Sequence, residues 1–236
     1  MLSKEEFKRY QKQIMLDDIG INGQIKLKQS KVAVIGAGGL GCPVLQYLTA
    51  VGIGTIGVID FDTVEESNLH RQVLYTTTDV GYLKVDIAVQ KLSAQNPFIQ
   101  LISHPVLLNE ENAESILSQY DIVVDGCDNF TTRYIVNDVC VKLNKPLVYG
   151  SILGYEGQLA VFNYKGSKNL RDIFPDEPNP EDVPNCSENG VLGTVPGIIG
   201  SMMAQETIHV IIEKPSLVNT LFIYSTDTNK QKRIAY

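Results

Sequence analysis

The chain has 236 residues, 44% of them hydrophobic and 20% charged, with a formal net charge of −7. That length fits one large α/β domain or one domain with an appendage, and the apolar share suffices for a real core. The acidic balance speaks against the basic surface of a nucleic-acid binder, and no apolar run is long enough to cross a membrane.

Residues 1–30 read as a helical arm: Ser3 and Glu6 have the spacing of a capping box, and a shorter helix follows, ending near Gln29. The arm lacks the apolar core of a signal peptide, so a cytoplasmic protein is expected. "KVAVIGAG" (31–38) is a continuous apolar run ending in glycines, the pattern of a buried parallel strand that feeds a tight turn. "LGCPVLQYLTAVGI" then has helical spacing, with Pro43 in its first turn, and "TIGVIDFD" is a second strand. The pattern predicts a helix over 84–96, a third strand in "FIQLISHPVLL", a helix over 109–120, and a fourth strand in "DIVVDGCDN". A helix over 130–144 and a fifth strand in "KPLVYGSILG" complete five strand–helix alternations, which predict a Rossmann-like, doubly wound and mainly parallel sheet. After Gly154 the pattern changes: "YEGQLAVFNY" alternates like an antiparallel strand, and about 165–190 reads as one long functional or mobile loop. An apolar helix and a closing hairpin end a single domain over 31–236.

Gly36, Gly38 and Gly41 form G-x-G-x-x-G directly after a strand, and Asp60 ends the next one. Such glycines let a backbone approach phosphate at a helix N-terminus, and the acid accepts ribose hydroxyls. NAD and ATP are equally served by that much. Cations separate them. Asn68, Arg71 and Gln72 lie just beyond the second strand, and Lys84 opens a helix, the end where the macrodipole disfavours a cation unless an anion is near. A triphosphate with Mg²⁺ matches this set, while no Walker-type loop is present. Asp128, past the fourth strand, stands on the same rim and is the candidate for Mg²⁺; Asp125 is read as stabilising the turn.

In these residues and the motifs around them the chain resembles the ThiF/MoeB/HesA family, bacterial relatives of the ubiquitin-activating E1 adenylation domain. The resemblance rests on "RYQKQI", "GAGGLGCP", "DFDTVEESNLHRQ", "VGYLK", "DGCDNFTTRYIVN", "EGQLAVF" and "PNCSENGVLGTVPGIIGSMMAQETI", in family order from about Arg9 to the C-terminus. It implies a Rossmann-like sheet extended by C-terminal antiparallel strands, in a homodimer with two nucleotide sites. It also implies adenylation of the C-terminal glycine of a ThiS-like or MoaD-like ubiquitin-like sulfur carrier, with sulfur supplied later by a cysteine desulfurase or rhodanese-like protein.

By the same resemblance, Gly39 packs against the nucleotide and Asp60 binds the ribose. Asn68, Arg71 and Lys84 contact phosphates, and Asp128 ligates Mg²⁺. Gly36, Gly38, Gly41, Asp62, Gln72 and Asn129 complete the nucleotide-binding set. Lys12 stands where the family's arm carries an arginine that reaches the partner subunit's site. Relatives carry two C-x-x-C pairs for structural zinc; "KGSKNLRDIFP" and "NKQKRIAY" hold no cysteine there, so no zinc is expected. Cys186 aligns with a cysteine that some relatives join covalently to the carrier; that role and an ordinary loop cysteine both stay open. Cys42, Cys127 and Cys140 are read as packing, His70 as a surface residue, and His104 and His209 are assigned nothing. The missing zinc cysteines, rhodanese domain and C-terminal extension fit a minimal ThiF-type protein of thiamine biosynthesis. An NAD-dependent oxidoreductase and a non-catalytic scaffold are the competing expectations.

Overall fold

The computed structural model describes residues 1–179 and 190–236. Five parallel strands form the body of one sheet: β1 (Lys31–Ile35), β2 (Thr55–Ile59), β3 (Gln100–His104), β4 (Ile122–Asp125) and β5 (Leu147–Leu153). Three antiparallel strands extend it, β6 (Glu156–Phe162), β7 (Thr220–Ser225) and β8 (Lys230–Ala235), giving the order β3-β2-β1-β4-β5-β6-β7-β8. The expected fold class is therefore found. β1 lies between β2 and β4, so successive connections leave it in opposite directions, which opens a crevice at the carboxyl ends of β1 and β4.

Both faces of the parallel body are covered, which is why its strands read as unbroken apolar runs. Val32, Val34, Val58 and Val124 face one core, shared with helices α3 (Gly41–Val51), α4 (Lys84–Gln95) and α7 (Thr194–Ile211). Ala33, Ile35 and Val123 face the other, closed by α5 (Ala113–Leu117) and α6 (Phe130–Lys142).

Two elements are shorter than their patterns predict. In place of a helix over 109–120, Asn109 turns the chain by accepting from the backbone N–H groups of Glu111 and Asn112, so that α5 has only five residues. β3 stops at His104 because Pro105 has no N–H and the only neighbouring strand, β2, is five residues long. The stretch read as a long loop begins with a turn over Leu170–Asp172 that is tied to α6. Arg171 there grips Asp138 with both ends of its guanidinium, at 2.7 and 2.8 Å.

The arm forms α1 (Lys4–Ile14), with the expected Ser3–Glu6 capping box, and α2 (Gly20–Gln29). It docks on the far end of α3 from the glycine loop. Tyr10 is buried, accepts from Asn96 Nδ2 at 2.9 Å, and fills the space a side chain on Gly52 would need. Gly52 also has φ of 86°, the left-handed turn that ends α3. Gly52→Ala combines a left-handed alanine, about 1–2 kcal/mol, with a Cβ 2.5 Å from the Tyr10 ring. The expected outcome is an undocked arm, seen as faster tryptic cleavage within residues 1–30 while the rest of the chain resists.

Candidate functional site

The crevice is built on three residues that stand level across the sheet, because Ile59, Ile35 and Asp125 are in register on β2, β1 and β4. The next residues are Asp60, Gly36 and Gly126. Gly36 takes φ of 84°, and a Cβ on it would lie 2.9 Å from the Gly126 carbonyl oxygen. A Cβ on Gly41 would lie 1.9 Å from the Gly36 carbonyl oxygen, so the loop closes on itself only without side chains. Gly39 faces Pro196 of α7 and the Arg71 stem, at 3.2 and 3.7 Å from a would-be Cβ. A side chain there would press on Pro196 within the protein. α3 starts from this loop with no side-chain cap and no acid in its first turn; the Cys42 N–H donates to the Gly38 carbonyl at 2.9 Å and Pro43 has none, so an anion here would meet chiefly the amides of the glycine loop itself.

The loop is pinned at the Ala37 backbone. Its N–H donates to Asp60 Oδ2 at 2.7 Å, while Asp60 Oδ1 accepts from the Asp62 N–H at 2.8 Å. Its carbonyl accepts from the Tyr75 hydroxyl at 2.9 Å and from Cys42 Sγ at 3.5 Å. Tyr75 also lies 3.3 Å from the Lys84 carbonyl, so one phenol ties the glycine loop to the start of α4. Burial pushes the Cys42 thiol up to about 12, which keeps it a neutral donor. Cys42 thus does more than pack, and Tyr75 is a site residue the sequence reading missed. The partners are 38 residues apart, so no local pattern announces them.

Lys84 is buried and its Nζ meets Asp62 Oδ2 at 2.7 Å. The pairing follows from local structure: Val64 and Tyr82 hydrogen-bond as the chain folds back, and the Lys84 N–H donates to the Asp62 carbonyl. In this structure the anion beside the cation at this helix end is Asp62, from within the chain. Arg71 is half-buried beside Gly39, with Nη1 donating to the Ser67 carbonyl at 3.2 Å. Gln72 is buried against Gly38, and its Oε1 has no hydrogen-bond partner among the described residues. Asn68 lies on the same run of turns and donates to Ser67 Oγ.

Asp128 and Asn129 stand on the turn between β4 and α6. Asp128 is exposed at the rim. Asn129 is the N-cap of α6 and accepts from the Thr132 N–H at 2.8 Å, a structural duty beside any ligand contact. Among the described residues no group of three or more His, Cys, Asp or Glu is suited to a metal. Magnesium borne on phosphates needs only one or two carboxylates, and Asp128 fits that requirement. Behind the turn, Asp125 accepts from the Cys127 N–H at 3.0 Å and pairs with Arg133, Nε to Oδ2, at 3.3 Å, so it does stabilise the turn. Arg133 is also buried, a second residue the sequence reading missed. The available signal was a buried strand ending in aspartate, which calls for a buried cation.

Two expected members are not brought here. Lys12 lies on the arm, whose neighbour Gln13 donates to the Val51 carbonyl at the opposite end of the 11-residue α3, about 16 Å of helix away. Cys186 lies outside the described residues. Of the histidines, His70 is exposed and its Nδ1 meets the Ser67 carbonyl, whereas His209 contacts Glu206, three residues earlier, at 2.9 Å. Cys127 and Cys140 are buried and free, as expected.

Burial holds the Asp60 carboxyl above the ordinary carboxylate value, against the pull of Lys84 and of two backbone N–H groups. Its charge costs more in the folded chain than in the unfolded one. Its contribution to stability is therefore complete below the unfolded pKa, about 3.9, and is lost as pH rises through the folded value. Urea unfolding of the protein and of Asp60→Asn from about pH 4 to 7 is expected to show the stability difference shifting toward the variant as pH rises.

A family model described as "ThiF family" matches residues 10–235. The "Sulfur carrier protein adenylyltransferase" of Thermus thermophilus is 50% identical over 229 residues, which cover 94% of this chain and 84% of that protein. The "Adenylyltransferase and sulfurtransferase MOCS3" of Culex quinquefasciatus is 51% identical over 211 residues, 89% of this chain. The match takes in 48% of the mosquito protein, so the chain spans about half the length of such relatives. Among solved structures, PaaA superposes with a TM-score of 0.85 at 26% identity, over 99% of this chain and 74% of that one. Escherichia coli MccB with ATP gives 0.78 at 21% identity, over 99% and 79%, a likeness of fold.

Proposed function

Because the chain belongs to the ThiF family over residues 10–235, we infer that it catalyses ATP-dependent adenylation of the C-terminal glycine of a ubiquitin-like sulfur carrier protein. The observation that carries this reading is the gathering of two cations beside the glycine loop: the Arg71 stem lies against Gly39, and the buried Lys84, tied to Ala37 through the Tyr75 hydroxyl, acts on Asp60. A dinucleotide's pyrophosphate needs mainly backbone amides, whereas a triphosphate adds charge that two cations offset.

In the proposed reaction a carboxylate oxygen of the carrier's terminal glycine attacks the α-phosphorus. The bond from that phosphorus to the bridging oxygen breaks, and pyrophosphate leaves with the electron pair. The protein contributes position and charge neutralisation, with no protein nucleophile required for this step. Asp60 accepts from the ribose while its carboxylate oxygens stay fixed by the Ala37 and Asp62 N–H groups. Arg71 and Lys84 offset the charge growing on the phosphates, and Lys84 exchanges Asp62 for them. Magnesium, when bound with the nucleotide, neutralises phosphate charge, and Asp128 is the residue that would hold it. In a homodimer, the arm of one subunit brings Lys12 to the phosphates of the other; the far-end docking of the arm supports a role outside its own site. A lysine supplies charge there without the planar fork of arginine. The carrier is ThiS-like, of thiamine biosynthesis, or MoaD-like, of molybdopterin biosynthesis, and Cys186 acts, if at all, after adenylation, in sulfur transfer.

ATP–pyrophosphate exchange with purified ThiS-like and MoaD-like carriers tests the reading and identifies the carrier. Exchange is expected with one of them, to fall about 10²–10³-fold in Arg71→Ala, and to survive in Cys186→Ser. Calorimetric binding of NAD in place of ATP would instead support an oxidoreductase, and background exchange with every carrier a scaffold. Metal analysis of the purified protein is expected to find no zinc.

A further inference from the structure

Arg133 is a cation as enclosed as Lys84, yet no step of the proposed reaction uses it. Its side chain is 6% exposed and that of its partner Asp125 is 0%. Its Nη2 donates to the Cys127 carbonyl at 2.7 Å and to the Gly150 carbonyl at 3.1 Å, and its guanidinium lies 4.7 Å from the centre of the Tyr149 ring. One planar group thus joins the end of β4, the first turn of α6 and the middle of β5. The two peptide groups of Cys127 are both held by this pair, the N–H by Asp125 and the carbonyl by Arg133. The next residue is Asp128.

We propose that Arg133 is a positioning residue that fixes the 126–129 turn from behind, so that the Asp128 carboxylate is presented to the magnesium carried by the nucleotide. The inference rests on the adenylation reading for the identity of that ligand. The physical reason is the fork. A turn whose backbone was not held would carry Asp128 through many positions, and ordering it at the moment of binding would weaken the metal contact. Arginine donates in fixed directions to the Cys127 and Gly150 carbonyls while its charge faces Asp125 at 3.3 Å; lysine supplies that charge but only one ammonium centre. Breaking the buried pair outright leaves Asp125 uncompensated, so fold and positioning have to be separated experimentally.

The test is calorimetric ATP binding to the full chain as Mg²⁺ is titrated, for the protein, Arg133→Lys, Arg133→Met and the control Arg171→Met, whose residue grips α6 from its outer side. Arg133→Lys is expected to stay folded by circular dichroism yet need about 10-fold more Mg²⁺ for half-saturation, a loss of the size assigned to removing a metal's supporting partner. Arg171→Met is expected to keep the original midpoint. A merely structural arginine would lower the melting temperature and the bound fraction without moving that midpoint, and this result overturns the proposal. Should both Arg133 variants fail to fold, a crystal of the unmodified protein with ATP and Mn²⁺ decides: Arg133 on the Cys127 carbonyl and Asp128 at the metal supports it, whereas Arg133 on the phosphates overturns it. A protein that binds no ATP at any Mg²⁺ concentration removes the adenylation reading itself. Binding of ATP with unshifted midpoints in folded variants removes only the role of Arg133.

Discussion

The site depends on how the backbone of one residue, Ala37, is held. Between Gly36 and Gly38 the chain must leave a strand, reverse and enter a helix in a space where Gly41 already touches the Gly36 carbonyl. Ala37 is the hinge of that reversal, and both its backbone polar groups are held: the N–H by Asp60 from β2, the carbonyl by Tyr75 and Cys42. The two successive peptides that meet at Ala37 are thus each held by a partner, and losing either bond would leave a desolvated polar atom. With that backbone fixed, the Arg71 stem lies along Gly39.

Around this hinge two ion pairs have different physical characters. In Lys84–Asp62 the lysine side chain is 5% exposed and the aspartate 47%. In Arg133–Asp125 the figures are 6% and 0%. An aspartate that still touches water can release its partner at modest cost, so Lys84 is suited to change anions. A fully buried carboxylate cannot be left alone. The first pair is therefore built for exchange and the second for permanence, although both are a basic side chain meeting an acid at the carboxyl end of the sheet.

Much of the fold was legible because its causes are local or periodic. Unbroken apolar runs at β1, β2 and β4 reported strands covered on both faces, and the change to alternation after Gly154 reported the antiparallel extension. The misjudged lengths have causes outside periodicity: an asparagine turn at 109–112 that competes with helix, and an edge strand limited by its single neighbour. The glycines, Asp60, Arg71, Gln72 and Lys84 were legible as a set because tight turns and cations at a helix start break ordinary rules and so stand out. Tyr75 and Arg133 were not, since each looks ordinary in sequence and its meaning lies in a carbonyl or carboxylate from another element.

Sequence alone determined the class of the sheet, the position of the reversal after β1 and the collection of cations and acids near it, because those follow from side-chain pattern and backbone freedom. Only the tertiary structure decided who pairs with whom. It gave Lys84 its aspartate, made Asn129 a helix cap, turned Gly39 toward α7 and carried Lys12 to the far end of α3. The reason is that a charge or a polar hydrogen finds its partner through space. In a doubly wound sheet, that partner comes from whichever strand or helix the winding has brought alongside.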